Sequence, residues 1–378
     1  MSKLSNYRIH FSLVLYLIIN FIFIVKYSVR YSLPNVIIIL LYLGLFIGFV
    51  FLFVRKKDFF SKLSNGVYYA FCIIAASFLL ILMLQFDIAN IRVSRHAAIQ
   101  EWLSNFLNGE FPYGSPTNPS SFPILFIAFI PFKMIGELGL MQILTYLIFS
   151  YYLLKKFSSS PSSKWFIQVL LLGSPIYLYE IVTRSELFSN MVFVLIFLHF
   201  ISHTKIGLKN YKEFILASVL GGIILSTRMI VLPIYFIFLI YYYRTSVKML
   251  LMLFISIGMI FLLTNLPFYL WNPQLYIDGG PFAVQSIYLP KVVVLFFFTA
   301  SIYFGFKIKN EDNLFFVTAA LLFLMVSTSF LFQLNEHSIH ELIFKDRFDI
   351  AYFIFPLPFL LIFSGGIKKL DTDYHDRS

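Results

Sequence analysis

The amino-acid sequence predicts an all-α fold, a polytopic transmembrane helical bundle, and three features of the chain support it. The 378 residues are 60% hydrophobic and only 12% charged, about half the charged fraction of an ordinary soluble domain. The mean hydropathy is +0.84. The apolar residues come in runs of about 17 to 22, which is long enough for a helix to cross the hydrocarbon core of a bilayer.

The apolar runs define the predicted elements in order. We predict about twelve spans, at residues 11–26, 34–54, 66–86, 138–154, 165–182, 187–204, 213–227, 229–243, 249–270, 288–306, 313–332 and 349–367. The run 122–135 is short and contains two prolines, so we expect a re-entrant or interfacial segment there. The whole chain, 1–378, is predicted to be a single transmembrane domain with larger outer loops at 87–137, 267–287 and 333–348.

The net charge of +11 is interpreted as a topology signal and not as a nucleic-acid-binding surface, because Lys and Arg cluster in short loops between apolar runs. If 122–135 does not cross, nearly all of these clusters fall on one side, which the positive-inside rule makes cytoplasmic. Both termini then lie in the cytoplasm, and only Lys26 and Arg30 are basic exceptions outside. The expected location is a bacterial inner (plasma) membrane.

The predicted outer face begins with Asp87, at the end of the third span. A carboxylate there either ends the span in the headgroup zone or serves a function. In the segment that follows, Ile99, Trp102 and Leu103 share one helical face with Phe106 and Leu107. The opposite face is polar and carries Arg95, His96, Gln100, Glu101, Ser104 and Asn105. With Ser94 as N-cap and Gly109 as stop, we predict an amphipathic helix lying in the outer interface.

Further polar groups come from separate loops. The Pro-rich stretch 109–123 contains aromatic residues, Tyr113 among them, which favour a structured loop over a linker. Arg184 and Glu186 lie between two spans and are candidates for a local ion pair. Arg228 has no acidic residue nearby in sequence, so at membrane depth it needs a partner, and an anionic ligand is one option.

The segment from Asn335 to Asp349 is the most charged outer loop. His337 with Glu341, and Glu336 with His340, are i,i+4 pairs on a helix, but no H-E-x-x-H motif is present and we predict no metal. Lys345 and Arg347 are the better candidates there, as phosphate contacts. The single cysteine, Cys72, excludes a disulfide framework within the chain, and no Walker, G-x-G-x-x-G or G-x-S-x-G motif occurs.

Residues 66–290 resemble the GT-C superfamily, integral-membrane glycosyltransferases that use polyprenyl-phosphate sugars, with a mannosyltransferase-like arrangement. The resemblance is carried by Asp87 after an early span, by Gly109 with Pro112 and Tyr113, and by Phe122-Pro123 and Pro267-Phe268. The paired helices of "GGIILSTRMIVLPIYF" add to it. Asn90 stands where many members have a second acidic residue, and a helical hairpin, residues 11–54, precedes the Asp-bearing span.

The resemblance implies transfer of a sugar from a polyprenyl-phosphate donor to an acceptor hydroxyl, on a glycan or lipid, with inversion. The hydroxyl needs a base, which we expect to be Asp87, and a fixed cation would stabilise the leaving phosphate. Arg228, Arg347, Arg184 and Lys345 are the expected phosphate contacts. His96, Arg92, Arg95, Glu101 and Tyr113 are expected to orient the acceptor or the base. No cofactor, metal or nucleic-acid partner is expected.

Two other functions stay open on sequence grounds. A polymerase or ligase of lipid-linked glycans would use Arg and His residues on a large outer loop, as in the segment 335–349. A flippase of a lipid-linked glycan would also need buried cations, but it would more often show an internal repeat, and we find none.

Overall fold

The computed structural model describes residues 2–30, 32–88, 94–117, 119–204, 206, 210–286 and 289–366. In this part of the chain every regular element is a helix, which confirms the predicted all-α class. The first ten are α1 (Ser2–Arg30), α2 (Asn35–Arg55), α3 (Lys57–Lys62), α4 (Asn65–Gln85), α5 (Ser94–Leu107), α6 (Pro123–Ile127), α7 (Ile130–Ile135), α8 (Leu140–Lys156), α9 (Pro161–Leu172) and α10 (Pro175–Val182). The others are α11 (Leu187–His203), α12 (Tyr211–Leu225), α13 (Val231–Tyr243), α14 (Val247–Trp271), α15 (Pro273–Asp278), α16 (Pro281–Ser286), α17 (Lys291–Lys307), α18 (Glu311–Gln333), α19 (Ile339–Phe344) and α20 (Leu357–Ser364), with a 3-10 helix at Ile350–Ile354 before α20.

Five helices in the described residues are long and apolar enough to cross a membrane, namely α1, α2, α4, α14 and α18. The number rises to seven if each of two bent helix pairs counts as one span. In α2, only 6% of the most apolar stretch is buried within the protein. A helix so apolar and so little covered needs lipid around it. The chain is therefore a helical membrane protein, but the prediction of about twelve spans is not confirmed.

The short apolar helices explain why fewer helices can span a membrane than the sequence predicted. Helix α13 has 13 residues, which corresponds to about 20 Å of helix against about 30 Å of hydrocarbon. Its side chains are buried in the protein, with Ile234, Tyr235 and Ile237 at 0% exposure. A helix that is apolar on all sides is either lipid-facing or buried, and sequence alone does not distinguish the two.

Two predicted elements are interrupted. The predicted span 165–182 is divided into α9 and α10, which are bent by 63° at Gly173-Ser174-Pro175. The buried Asn20 accepts hydrogen bonds through Oδ1 from the Ser174 hydroxyl (2.7 Å) and the Ile176 amide (3.3 Å). It thereby provides an acceptor for a backbone amide in the first turn of α10. The run 122–135 forms the short helices α6 and α7, and Gly136, with φ +93°, is the C-cap of α7. With α8 they form the other bent pair, either a broken span or a re-entrant loop.

The chain divides into two compact units, each made of separate stretches of sequence. The first contains Met1–Gln85, Ile143–Val182 and Glu311–Ser378, and the second contains Phe86–Gln142 and Thr183–Asn310. No linker or change in composition marks this division in the sequence, which predicted a single domain. In the first unit, α20 packs against α1, α9 and α18.

The second unit contains the most closely packed helix pairs. Helix α12 packs against α14, and α13 against α17. A Cβ atom on Gly222 would lie 2.4 Å from the Cβ of Ile260, so only glycine permits the approach of α12 to α14. Gly305 has the same role in α17, where an added Cβ would lie 2.8 Å from the carbonyl oxygen of Phe236 in α13. Small residues at such crossings are typical of helix packing in membranes.

Helix α5 is the predicted amphipathic helix, at Ser94–Leu107. It ends in a Schellman motif at Gly109, with φ +78°: the Gly109 amide donates to Phe106 O (3.1 Å) and the Glu110 amide to Asn105 O (2.8 Å). Trp102 and Leu103 are at 0% exposure, in an aromatic cluster that includes Phe126 and Phe268. Leu107, predicted on the apolar face, is instead 53% exposed. The apolar face of α5 thus packs mainly on protein.

Lys26 and Arg30, the two exceptions to the charge rule, share a partner within the first unit. Lys26 Nζ lies 2.6 Å from Asp346 Oδ1, and Arg30 Nη2 lies 2.6 Å from Asp346 Oδ2. Asp346 has a left-handed backbone conformation, with φ +57°. The carboxylate provides counter-charge for both cations, so these two residues say little about topology.

Candidate functional site

Arg184 connects three segments of the second unit. It lies in the Thr183–Glu186 loop that precedes α11. Its Nη1 donates to the carbonyl oxygen of Phe86 (3.0 Å), the residue before Asp87. Its Nε and Nη2 face the two carboxylate oxygens of Glu137 at 3.3 and 3.5 Å. Arg184 is only 5% exposed and has φ +51°, a backbone conformation that costs a non-glycine residue about 1–3 kcal/mol and that clusters at functional sites.

Arg228 pairs with Glu186. The Arg228 guanidinium donates from Nη2 to Glu186 Oε1, and both side chains are 3% exposed. Glu186 precedes α11, and Arg228 lies at the break between α12 and α13. The local Arg184–Glu186 pair that the sequence suggested is therefore not the one formed, and each of these residues has a partner distant in the chain.

A second contact runs beside this ion pair. Asn190 is one helical turn beyond Glu186 on α11, and its Nδ2 donates to the Thr227 hydroxyl at 2.5 Å. Thr227 is the residue before Arg228, so two side chains on one face of α11 meet two consecutive residues of the α12–α13 break. The Phe122 amide also donates to Thr227 O (3.0 Å), which attaches the end of the Pro-rich loop to the same place.

Nearby cations decide the charge state of Glu186. Burial alone raises the pKa of a carboxyl, but the charges of Arg228 and Arg95 outweigh it, and the pKa of Glu186 lies below its usual value. The same interaction puts Arg95, from the first turn of α5, in the field of Glu186. We refer to Arg95, Arg184, Arg228, Glu137 and Glu186 as the charged cluster.

His96 lies beside the charged cluster on α5. Burial lowers the pKa of His96, the positive charges of Arg184 and Lys133 lower it further, and Glu137 partly opposes them. His96 is therefore neutral near pH 7. A neutral imidazole has one donor and one acceptor nitrogen, and it can orient a hydroxyl without adding charge.

Asp87 occupies the rim of this arrangement. Asp87 itself is exposed. Within the charged cluster the side-chain exposure falls from 26% for Glu137 to 3% for Glu186 and Arg228. The Arg184–Phe86 contact places the backbone next to Asp87 beside a guanidinium. The structure thus brings four predicted site residues, Arg95, His96, Arg184 and Arg228, into one region adjoining Asp87.

The other predicted site residues lie elsewhere or have structural contacts. Glu101 accepts a hydrogen bond from the Thr117 hydroxyl. Tyr113 is 2% exposed, and its hydroxyl donates to Ser121 O at 2.9 Å. Lys345, which lies 3.5 Å from Glu341, and Arg347 are exposed and belong to the first unit. Arg92 is outside the described residues.

The sequence interpretation missed Glu137 and Asn190. Glu137 is the only acidic residue between Glu110 and Glu180, and this isolation in apolar sequence was a usable signal. Asn190 had none, because a single amide near the start of an apolar helix is ordinary. In the described part of the chain, no group of three or more His, Cys, Asp or Glu side chains could hold a metal ion.

The fold and the site define an all-helical membrane protein with a buried charged cluster. Compared with protein-family models, curated proteins and solved structures, the chain shows no significant match.

Proposed function

We propose that the protein is a GT-C-like membrane glycosyltransferase that moves a sugar from a polyprenyl-phosphate donor to an acceptor hydroxyl. The observation that carries the proposal is the hydrogen bond from Arg184 to the carbonyl oxygen of Phe86. It holds a fixed cation close to the carboxylate-bearing residue Asp87. A transferase of this type needs both a base for the acceptor and a cation for the leaving phosphate.

The reaction would proceed as a single displacement. Asp87 takes the proton of the acceptor hydroxyl while the acceptor oxygen forms a bond to the anomeric carbon. The bond between that carbon and the phosphate oxygen breaks, and its electron pair leaves with the lipid phosphate. Arg184 stabilises the developing negative charge, Arg228 contributes at longer range through its field, and His96 orients the acceptor. The anomeric centre is inverted.

The arrangement in the membrane is part of the proposal. The basic loops face the cytoplasm, both termini lie there, and the charged cluster opens to the other side of a bacterial inner membrane. Short helices such as α13 would contribute to the bundle without crossing independently. Lys345 and Arg347, in the first unit, stay sequence predictions and have no step in this mechanism.

The test is the substitution Asp87→Asn in protein reconstituted with undecaprenyl phosphate carrying glucose, mannose or arabinose. Mass spectrometry of co-purified lipid identifies the donor first. We expect transfer, measured as release of undecaprenyl phosphate with glycosylated product, to fall at least about 100-fold because the base is lost, while donor binding persists. Asp278→Asn, which alters an exposed carboxylate of the same unit, is the control and should retain full transfer.

Other outcomes would favour the rival functions. Full transfer by Asp87→Asn would remove the proposed mechanism. Movement of the intact glycolipid across a vesicle without release of undecaprenyl phosphate would indicate a flippase. Lengthening of a lipid-linked glycan with release of a polyprenyl pyrophosphate would indicate a polymerase.

A further inference from the structure

Four buried polar atoms beside the Arg228–Glu186 pair have no hydrogen-bond partner among the described residues. They are Ser185 Oγ, Glu186 Oε2, Asn190 Oδ1 and Arg228 Nε. Their residues are at most 2% exposed. A buried polar atom without a partner costs about 1–3 kcal/mol, so each such atom in a native protein calls for an explanation. Four such atoms in consecutive or contacting residues form a set of donors and acceptors that one polar group could satisfy together.

The geometry directs these atoms to one region. Glu186 and Asn190 are linked by the first helical hydrogen bond of α11, from the Asn190 amide to Glu186 O at 2.9 Å. Their side chains lie on the same face, one turn apart. Each uses one polar atom against the α12–α13 break, Glu186 Oε1 on Arg228 and Asn190 Nδ2 on Thr227. The second oxygen of each side chain remains available as an acceptor.

The chemistry of these atoms selects the ligand. A cation is disfavoured because Arg228 and Arg95 both act on Glu186. An anion is disfavoured because two of the available atoms, Glu186 Oε2 and Asn190 Oδ1, are acceptors that would face it. A neutral polyhydroxyl group fits, since each hydroxyl donates to one atom and accepts from another, and Arg228 Nε and the Ser185 hydroxyl can serve as donors.

We infer that Glu186, Asn190 and Arg228 bind the sugar of the donor through its hydroxyl groups, at the buried floor below Asp87 and Arg184. This inference rests on the proposed function and extends it. Arg184, next to Asp87, contacts the phosphate, whereas the residues around Glu186 recognise the sugar. Glu186 Oε2 and Asn190 Oδ1 accept from sugar hydroxyls, and Arg228 Nε donates to a sugar oxygen.

The experiment compares the affinity of the purified full chain for bare undecaprenyl phosphate and for undecaprenyl phosphate carrying a hexose, by native mass spectrometry. Asn190→Leu removes the acceptor Oδ1 and the bond to Thr227. The matched control, Thr227→Val, removes that bond together with the local bond from the Thr227 hydroxyl to Ile224 O (2.6 Å) and leaves Asn190 Oδ1 in place. We expect Asn190→Leu to reduce the sugar-dependent gain in affinity about tenfold, the size of one hydrogen bond, and Thr227→Val to preserve it.

Each result decides one of the two proposals. If the wild type binds both lipids equally, or if Asn190→Leu keeps the wild-type gain, the sugar site is overturned and the glycosyltransferase proposal stands on its own test. If the wild type binds neither lipid, the glycosyltransferase proposal falls. The site is then judged with octyl glucoside against an octyl polyoxyethylene detergent. Glucoside-dependent stabilisation that is lost in Asn190→Leu but kept in Thr227→Val would support it, and equal stabilisation would overturn it.

Discussion

Arg228 and Glu186 are 42 residues apart in the chain, yet they form an ion pair in which both side chains are 3% exposed. Removing two charges from water is expensive, and their mutual attraction offsets that cost only with good geometry. A buried pair is therefore weak evidence for stability, and its position beside the candidate site points to a role in function. Here the pair joins the start of α11 to the break between α12 and α13.

Removal of one partner of this ion pair should therefore lower the stability of the protein more than removal of both partners. We expect Glu186→Ala to destabilise the protein by about 3–5 kcal/mol, because Arg228 would remain as a buried, uncompensated charge. The double variant Glu186→Leu with Arg228→Met should be closer to the wild type in stability, although it should lose transfer. Thermal unfolding in detergent, followed by circular dichroism, measures both. A double variant less stable than Glu186→Ala would contradict this account.

Arg184 should be important for donor binding through its planar fork. Lysine keeps the positive charge but cannot contact Phe86 O and both oxygens of Glu137 together. Hydrogen bonds to charged groups contribute about 1.5–3 kcal/mol, so Arg184→Lys should weaken donor affinity by about tenfold to a hundredfold. The control is Arg244→Lys. Arg244 is in the same unit and donates to Phe306 O and Ile308 O at 2.8 Å. A donor affinity unchanged by Arg184→Lys would exclude Arg184 from the phosphate site.

The sequence was most informative about the positions of helices, because a long run of apolar residues forms few other structures. All twelve predicted spans correspond to helices or broken helices, and α5 covers Ser94–Leu107, within a residue of the bounds predicted from Ser94 and Gly109. The sequence could not tell lipid from protein as the environment of α13, because both are apolar.

The pairing of charges was beyond sequence reasoning for a different reason. Arg184 and Glu186 are neighbours in the chain, but the left-handed conformation of Arg184 lets the loop direct the two side chains to different partners. Those partners, Glu137 and Arg228, come from other loops and meet them only after the helices pack. The sequence predicted that Arg228 needs a partner, and only the fold identifies Glu186 as that partner.

Stability should depend on pH through His96. Burial and Arg184 hold its folded-state pKa below the unfolded value of about 6.5, so the unfolded state takes up the proton first. The stability contributed by neutral His96 is fully present above about pH 6.5 and is lost as the pH falls through that value towards the lower folded-state pKa. Melting temperatures of the wild type and His96→Gln, measured from about pH 8 to pH 5, should show a steeper decline for the wild type.

The control for this dependence is His203→Gln, since His203 is exposed at the end of α11. That variant is measured over the same pH range. If His96→Gln follows the wild-type profile, His96 does not titrate differently in the folded and unfolded states, and the imidazole would not be the neutral group that the proposed site requires.

Trp102 should fix the position of α5 and thereby of Arg95 and His96. Its ring stacks on Phe126 with centroids 4.8 Å apart and contacts Phe268 at 5.7 Å, and it is at 0% exposure. Trp102→Ala should cost about 3–5 kcal/mol, because the deletion leaves a cavity in this cluster. Leu107→Ala, on the same helix but 53% exposed, should change stability by no more than about 0.5 kcal/mol. Both are measured as shifts in thermal unfolding.

The Trp102 and Leu107 variants also show whether α5 is held in place by packing on the aromatic cluster or by contact with lipid. If α5 were held mainly by lipid, Leu107 would matter as much as Trp102, and the two substitutions would have similar effects on unfolding and on transfer. Packing on the aromatic cluster requires the opposite, namely that Trp102→Ala lowers transfer while Leu107→Ala leaves it unchanged. The reason is that displacement of α5 would carry Arg95 away from Glu186 and His96 away from Arg184, so activity should fall even in preparations that remain folded.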